Sequence, residues 1–356
     1  TGFTGRLVAE YLNKNYAGSD VKWAMAGRSQ EKLEAVRDEM GISSAINLIT
    51  ADSSDKASLG SMAKRTKVVL TTVGPYQLYG TDLVAACVEA GTDYVDLCGE
   101  PPWMHDTIET FSEAARKSGA RIVHSCGFDS IPFDLGVYFV QQAANTKFDA
   151  PCTRVRGRVR KMQGTFSGGT AASFMATMMR AGKEPEVLDW LKDPFSLVPN
   201  FTGPAQPTGH KPIHEDDLGS WSAPFIMASI NTKNVHRSNA LLGHAYGENF
   251  VYDEMMMTGP GEKGEQIAHH VANDKSMSTN PPKPGEGPSK EEREAGHYDV
   301  MFVGETEKGE TIVAGVTGDR IQQASLIGSI CTEHADLVIF TSDDPMGVLQ
   351  SELFRV

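Results

Sequence analysis

Short apolar segments alternate with helix-forming segments through the first 130 residues of the chain. The apolar segments span 21–29, 46–50, 67–76, 93–100 and 121–130. Short segments of this kind, bounded by glycine and polar residues, are typical of the buried strands of a parallel sheet. Right-handed crossovers between them predict an α/β fold with a Rossmann-type, doubly wound parallel sheet, whose ligands bind at the carboxyl ends of its strands.

The chain opens on a glycine turn, "TGFTG", that leads directly into a helical pattern. In a dinucleotide-binding unit such a turn joins the first strand to a helix, and its backbone amides approach the pyrophosphate. We therefore expect the first strand of the sheet to be truncated. The residues expected to bind the pyrophosphate are Thr1, Gly2, Phe3, Thr4 and Gly5. Glycine turns also precede helices that bind no ligand, so this turn alone is a weak signal.

The end of the next strand distinguishes the two nicotinamide dinucleotides. Arg28 follows the glycine turn by about 20 residues, at the point where an acidic residue would bind the ribose hydroxyls of NAD. A guanidinium there pairs with the 2′-phosphate of NADP. We expect Arg28, Ser29 and Asp52 to bind the adenosine half of NADP(H). The alternative for Arg28 is a solvated residue at the start of a helix.

The segment "TTVGPY" ends a strand that would reach the nicotinamide half of the cofactor. Its cofactor-binding candidates are Val73, Gly74 and Pro75, because Gly74 permits close backbone approach and Pro75 stiffens the turn. Tyr76 is a catalytic candidate as a proton donor. It would otherwise form a wall of the pocket.

Two later strand ends supply further polar candidates. In "DLCGEPPW", Glu100 follows a tight turn that would present its carboxylate to a substrate. In "GFDSIP", Asp129 is a catalytic candidate and Ser130 a substrate-binding candidate. Ser130 fits a helix cap before Pro132 equally well.

Three segments of the second half carry patterns of interest. "TRVRGRVRKMQG" alternates like an exposed strand, so its arginines are expected to form a solvated face. In "SGGTAASFMATMMRAG", apolar side chains recur along a helix, and packing is the default interpretation. A groove for an acyl chain is the alternative. Asn231, His236 and Arg237 either bind a substrate carboxylate or thioester carbonyl, or brace a domain junction.

Composition excludes several classes of function. The 356 residues carry a formal net charge of −13, which disfavours nucleic acid as a partner. The five cysteines are widely spaced without a CxxC pair, and no HExxH or comparable spacing occurs, so we expect neither a disulfide framework nor a metal site. No apolar run reaches the roughly 20 residues of a membrane span. We expect a cytoplasmic protein and leave peripheral membrane contact and a homodimer open.

Together, "TGFTGRLVAEYL", "AGRS", "VGPY", "YVDLCGE" and "GFDSIP" resemble the NADP-binding half of the saccharopine dehydrogenase-like oxidoreductases. The resemblance lies with the branch that contains the trans-acting enoyl reductases of lipid assembly. It continues through "SGGTAAS", "INTKNVHRSNALL" and "PGEGPSKEEREAGHYDV", and so covers residues 1–319. It implies a Rossmann domain joined to a mixed α/β substrate domain, NADP(H) as cofactor, and a redox reaction at a C=N or C=C bond.

On this basis we expect three parts: an NADP-binding domain over 1–145, a substrate and dimerisation domain over 146–319, and an atypical tail over 320–356. The resemblance is lost in the tail, where "ADLVIFTSDDP" is instead similar to a Mur ligase C-terminal segment. A spliced gene and simple divergence are both open explanations.

The expected chemistry is hydride transfer from NADPH to a polarised double bond, with a side chain or ordered water returning the proton. No tyrosine and lysine stand four positions apart, which disfavours a short-chain reductase mechanism. The branch resembled favours an enoyl, lipid-linked substrate. A saccharopine-type amino-acid imine and a catalytically silent NADPH-binding scaffold are the alternatives.

Overall fold

The computed structural model describes residues 1–164, 166–279, 281–283 and 285–319. Its N-terminal half alternates helices and strands, as the sequence predicts. The elements are α1 (Phe3–Tyr16), β1 (Ala24–Gly27), α2 (Gln30–Glu39), β2 (Asn47–Thr50), α3 (Lys56–Ala63), β3 (Val68–Thr71), α4 (Tyr76–Tyr79), α5 (Thr81–Ala90), β4 (Asp93–Asp96), α6 (Pro101–Ser118), β5 (Ile122–Val123) and α7 (Ile131–Phe148).

All five strands of this half pair in parallel, which confirms the predicted α/β class. They form two pieces, β1–β2 and β3–β4–β5, rather than one continuous sheet. In the doubly wound order 3-2-1-4-5-6, strands 2 and 3 lie on one side of strand 1, and strands 4 to 6 on the other. The strand order of each piece matches one of these sides: β1–β2 corresponds to strands 2 and 3, and β3–β4–β5 corresponds to strands 4 to 6.

The first-half core lies between β3–β4–β5 and the helices that follow these strands. All four residues of β4 are buried, and α5 contributes five buried side chains. Gly91 ends α5 with φ = 67°, a left-handed conformation that glycine adopts without a steric penalty. This core holds the carboxyl ends of β3 and β4 in fixed positions.

Helix bounds differ from the sequence prediction where proline is involved. The sequence predicts a helix from about Met104, but α6 begins at Pro101 because proline is well tolerated in the first helical turn. In the same way α7 begins at Ile131, with Pro132 inside its first turn. The helices α3 and α4 were not predicted.

The second half is built on a mixed sheet of six strands, in the order β11-β10-β6-β9-β8-β7. Its elements are β6 (Cys152–Gln163), α8 (Gly168–Ala181), α9 (Pro185–Lys192), β7 (Ile213–Glu215), β8 (Ser220–Pro224), α10 (Ala228–Leu241), β9 (Val251–Gly259), α11 (Gly261–Ala272), α12 (Ser276–Thr279), α13 (Lys290–Ala295), β10 (His297–Thr306) and β11 (Thr311–Asp319). A second hydrophobic core forms where α7 and α10 cover one face of this sheet.

The division at residue 145 stays a prediction, and α7 runs across it. The tail 320–356, with its similarity to a Mur ligase segment, lies outside the described residues. Within the described residues, no helix has both the length and the apolar character needed to cross a bilayer.

The arginines of β6 correct the expectation of a solvated face. Arg158 is only 1% exposed, and its Nε and Nη2 each donate to Glu215 at 2.7 Å. Its Nη1 lies 3.0 Å from Asp253, which also pairs with Arg154. Acidic residues on β7 and β9 cover Arg154 and Arg158, and sequence alternation alone cannot show that.

We expect Arg158→Met to lower the free energy of unfolding by about 3–5 kcal/mol, because two buried carboxylates would lose their shared cation. Arg160→Met, on the same strand, is the matched control. Arg160 is 44% exposed and pairs only with Asp299 among the ion pairs of the described residues, so its loss should cost less than about 1 kcal/mol. Urea denaturation measures both, and equal losses would contradict the buried network.

Candidate active site

The loops that follow β3, β4 and β5 are cross-linked by hydrogen bonds at one edge of their sheet. The Tyr76 hydroxyl donates to the Thr71 carbonyl oxygen and accepts from the Leu97 amide, both at 3.2 Å. The Ser125 hydroxyl donates to the Cys98 carbonyl oxygen at 2.6 Å. The structure therefore brings together the three strand ends that carry the predicted catalytic residues.

Glu100 is fully buried and its carboxylate receives four hydrogen bonds. Oε1 accepts from the Tyr76 amide and the Ser173 hydroxyl, each at 2.7 Å. Oε2 accepts from the amide (3.0 Å) and the side-chain Nε2 (2.8 Å) of Gln77. All four donors are neutral. This geometry is that of a residue that positions the loop after β3, while the predicted contact of Glu100 with substrate stays a prediction.

Tyr76 is 5% exposed and stacks on Trp103 with ring centroids 5.6 Å apart. Burial raises the pKa of its hydroxyl well above the usual value. Because the hydroxyl already bonds to two backbone groups, this environment favours the wall of the pocket over the proton donor.

A buried Asp–His pair at this edge was missed by the sequence reasoning. One oxygen of Asp96 lies 2.7 Å from Nδ1 of His124, and the other accepts from the amides of Cys98 and Ser125, each at 2.9 Å. Nε2 of His124 lies 3.0 Å from the Thr107 hydroxyl. This group joins the ends of β4 and β5 to α6. Polar residues at both strand ends were the signal that could have located it.

Asp129 and Ser130 follow the third strand end. Asp129 is half-buried, and burial raises the pKa of its carboxyl to about 6. Ser130 is buried at the N-cap position of α7, but its side chain makes no capping bond there. Both remain predicted site residues.

The glycine turn lies beside the loop after β3. Gly2 is the N-cap of α1 in an extended conformation, and no side chain caps the helix. A Cβ on Gly5 would lie 3.3 Å from the Thr72 hydroxyl. The first two of the five pyrophosphate candidates are exposed and the other three half-buried. Uncapped first-turn amides beside a strand end fit a bound pyrophosphate.

The glycine turn also contacts the second half of the chain through Phe3. A Cβ on Gly287 would overlap the Phe3 ring, and the Arg293 guanidinium lies 5.6 Å from the centre of that ring. The segment just before and within α13 therefore packs directly on the predicted pyrophosphate site.

The adenosine candidates lie together at the ends of β1 and β2. Arg28 is exposed and comes directly after Gly27, the last residue of β1. Ser29 caps α2 by accepting from the Lys32 amide at 3.2 Å. Asp52 accepts from the Ser54 amide and hydroxyl, and these bonds lower the pKa of its carboxyl.

The remaining cofactor candidates lie where the two halves meet. Val73 is 53% exposed, and Pro75 is the N-cap of α4. A Cβ on Gly74 would lie 3.5 Å from the Ser173 hydroxyl on α8. A side chain at this position would therefore be in ordinary contact with α8, and the close approach of Gly74 to the cofactor stays a prediction.

The structure does not bring the three substrate candidates on α10 to one point. Asn231 donates to Glu254 on β9 at 3.0 Å, whereas Arg237 donates to the Leu197 carbonyl oxygen at 3.1 Å. His236 packs against the Phe195 ring, with centroids 4.4 Å apart. Burial is the larger cause and the nearby charge of Lys233 the smaller one, and together they lower the pKa of His236 to about 3.

Contacts of α10 with the 193–197 segment support its role as a brace. Lys233 is 2% exposed, and its Nζ donates to the Asp193 carbonyl oxygen at 2.7 Å. Leu197 packs in the hydrophobic core of the first half of the chain. The side chains of α10 therefore hold a segment that reaches into the other core, which is the bracing alternative of the sequence analysis.

A parallel sheet with a glycine turn at a helix start, and with polar strand ends at one edge, is the arrangement of dinucleotide-binding domains. The Saccharopine dehydrogenase NADP binding domain family matches residues 1–123. A Mycobacterium tuberculosis protein, provisionally named a trans-acting enoyl reductase, is 40% identical over 346 residues, which cover 90% of this chain and 82% of that protein. The chain belongs to this family of saccharopine dehydrogenase-like oxidoreductases.

A second relative agrees with this assignment. The Trans-acting enoyl reductase of Mycobacterium ulcerans is 37% identical over 327 residues, covering 84% of this chain and 77% of that protein. Among solved structures, the amine dehydrogenase of Mycobacterium smegmatis is similar with a TM-score of 0.43 and 16% identity, covering 91% and 86% of the two chains.

We expect Glu100→Gln to lower the free energy of unfolding by about 1–3 kcal/mol, because its new NH₂ group would face a backbone N–H at either oxygen position. Glu89→Gln, an exposed position on α5, is the matched control and should change stability by less than about 0.5 kcal/mol. Thermal and urea denaturation measure both. A stable Glu100→Gln protein would show that the four bonds do not hold the loop.

Proposed function

We propose that this oxidoreductase transfers hydride from NADPH to the polarised C=C bond of an enoyl, lipid-linked substrate. The observation that carries the proposal is the 40% identity to a protein provisionally named a trans-acting enoyl reductase, which extends over 90% of the chain and so over both halves. When bound, the nicotinamide supplies the hydride. The residues of this chain bind the coenzyme, orient it and the substrate, and deliver the proton.

The glycine turn fits the dinucleotide because the first amides of α1 are uncapped and Gly5 is close to Thr72. These amides would hold the pyrophosphate, and Arg28 would pair with the 2′-phosphate. Val73 and Gly74 would lie against the nicotinamide half. Glu100 would act by holding the loop that carries them.

Asp129 is the proposed proton donor. Reduction of an enoyl group places negative charge on the substrate, so a neutral acid must deliver a proton. Burial raises the pKa of Asp129 to about 6, closer to neutrality than that of an ordinary carboxyl. Its place in the loop between β5 and α7, beside Ser130, supports this role.

We expect Arg28→Ala to weaken NADPH binding by roughly 10- to 100-fold and to leave NADH binding unchanged, because only NADPH carries the phosphate that the guanidinium would bind. Lys32→Ala, an exposed cation on the adjoining helix, is the control. Fluorescence titration with both coenzymes measures the effect. A wild-type protein that prefers NADH would contradict the assignment.

We expect turnover to fall as pH rises through about 6, because the protonated fraction of Asp129 falls there. Asp129→Asn should lose this dependence and lower kcat by roughly 10²- to 10⁴-fold. Asp134→Asn is the matched control, since burial also raises the pKa of Asp134 to about 6 while Ser238 on α10 binds its carboxyl. Retention of the wild-type profile in Asp129→Asn would identify another donor.

The substrate class is tested by following NADPH oxidation with a panel of enoyl thioesters and amino-acid imines. Turnover of enoyl thioesters supports the proposal. Turnover of imines alone would assign the amino-acid alternative. Coenzyme binding without turnover across the panel would indicate the scaffold alternative.

A further inference from the structure

The helix α8 is amphipathic with its polar side turned toward the protein. Ser173 donates to Glu100, and the Thr177 hydroxyl accepts from Gln77 Nε2 at 3.0 Å. Arg180 pairs with Asp106 on α6 at 2.6 Å. Positions 173, 177 and 180 recur at helical spacing, so these three contacts fix which side of α8 faces inward.

The opposite side of α8 presents large apolar side chains to solvent. The exposed fractions range from 37% for Phe174 to 62% for Met179, with Met175 and Met178 between them. This corrects the default expectation that the stripe packs in a core. Residues 168–179 include no charged side chain, so this exposed face is uncharged over three turns.

A cavity of about 510 Å³ lies where this face meets the first half of the chain. It opens between α4, α6 and α8. Its lining combines five apolar residues, among them Trp103, Phe111 and Met179, with eight polar ones, of which Asp106, Arg180, Lys183 and Glu184 are charged. Its volume is within the roughly 300–1,000 Å³ of small-molecule sites.

The cavity, rather than the exposed face, borders the predicted nicotinamide site. Met179 belongs to the exposed face and lines the cavity, and Gln77 and Leu78 line it from α4, which begins directly after Pro75. Ser173, which lies beside Gly74, is on the inward side of α8. An apolar chain lying in the cavity would therefore have one end near the cofactor loop and the other at Met179 on the exposed face.

We propose that the exposed face of α8, together with this cavity, binds the acyl chain of the substrate. The inference rests on the proposed function and adds to it the part of the protein that selects chain length. An uncharged, flexible face of methionines suits an alkyl chain, because methionine adapts to irregular apolar shapes. A membrane-binding helix would instead carry lysines and arginines on an outward polar side, and α8 turns its polar side inward.

The test uses the full chain and the saturated thioester dodecanoyl-pantetheine, which cannot be reduced and so reports binding alone. We expect Met175→Gln/Met179→Gln to weaken its binding at least about tenfold in calorimetric titration, because two apolar contacts are lost. The exposed Leu241→Gln, at the end of α10, is the control and should bind within about twofold of the wild type.

A second measurement separates the inference from the proposed function. With trans-2-dodecenoyl-pantetheine the double variant should lose kcat/KM by at least about tenfold, while with the four-carbon crotonyl thioester it should stay within about threefold. If dodecanoyl-pantetheine binds to α8 but no enoyl thioester is reduced, the acyl site is supported and the proposed function fails.

Three outcomes would overturn the inference. The first is equal binding of dodecanoyl-pantetheine to the wild type and the double variant, or no binding to either. The second is a wild-type dimer that the double variant converts to a monomer in sedimentation, since a second copy would then cover the face. The third is wild-type flotation with phosphatidylcholine vesicles that the double variant loses, which would assign the face to a membrane surface.

Discussion

The buried carboxylate of Glu100 is the interaction on which the candidate site depends. A buried carboxyl group is costly unless hydrogen bonds replace its contacts with water, and four neutral donors do so here. Those donors belong to the start of α4, directly after the loop that follows β3, and to α8, so one side chain joins the end of the predicted cofactor loop to the second half of the chain. Ser173 is also one of the three contacts that orient α8.

Much of the first half could be predicted from the sequence, because strand and helix alternation and strand-end turns are local signals. The pattern located Glu100, Asp129 and Arg28 at strand ends. It could not supply their partners, since Ser173 lies 73 residues from Glu100 in the sequence. Periodicity likewise shows that α8 has an apolar side but not that its polar side faces inward.

The second half was harder to predict for a physical reason. Its strands combine residues far apart in the chain, and buried ion pairs look like solvated charges in the sequence. Arg158 and Glu215 are separated by 57 positions, and only their contact shows that the charge is neutralised. The substrate candidates on α10 diverge for the same reason, because each meets a different segment.

The contact of Phe3 with Gly287 and Arg293 has a thermodynamic consequence. The ring sits in the first turn of α1, so a movement of the 285–293 segment also moves the amides that would hold the coenzyme. Linkage is reciprocal: whatever free energy the segment contributes to coenzyme affinity, coenzyme binding returns to the folding of that segment. Protection of the α13 amides from hydrogen exchange would thus report coenzyme binding at the start of α1, nearly 300 residues away in the sequence.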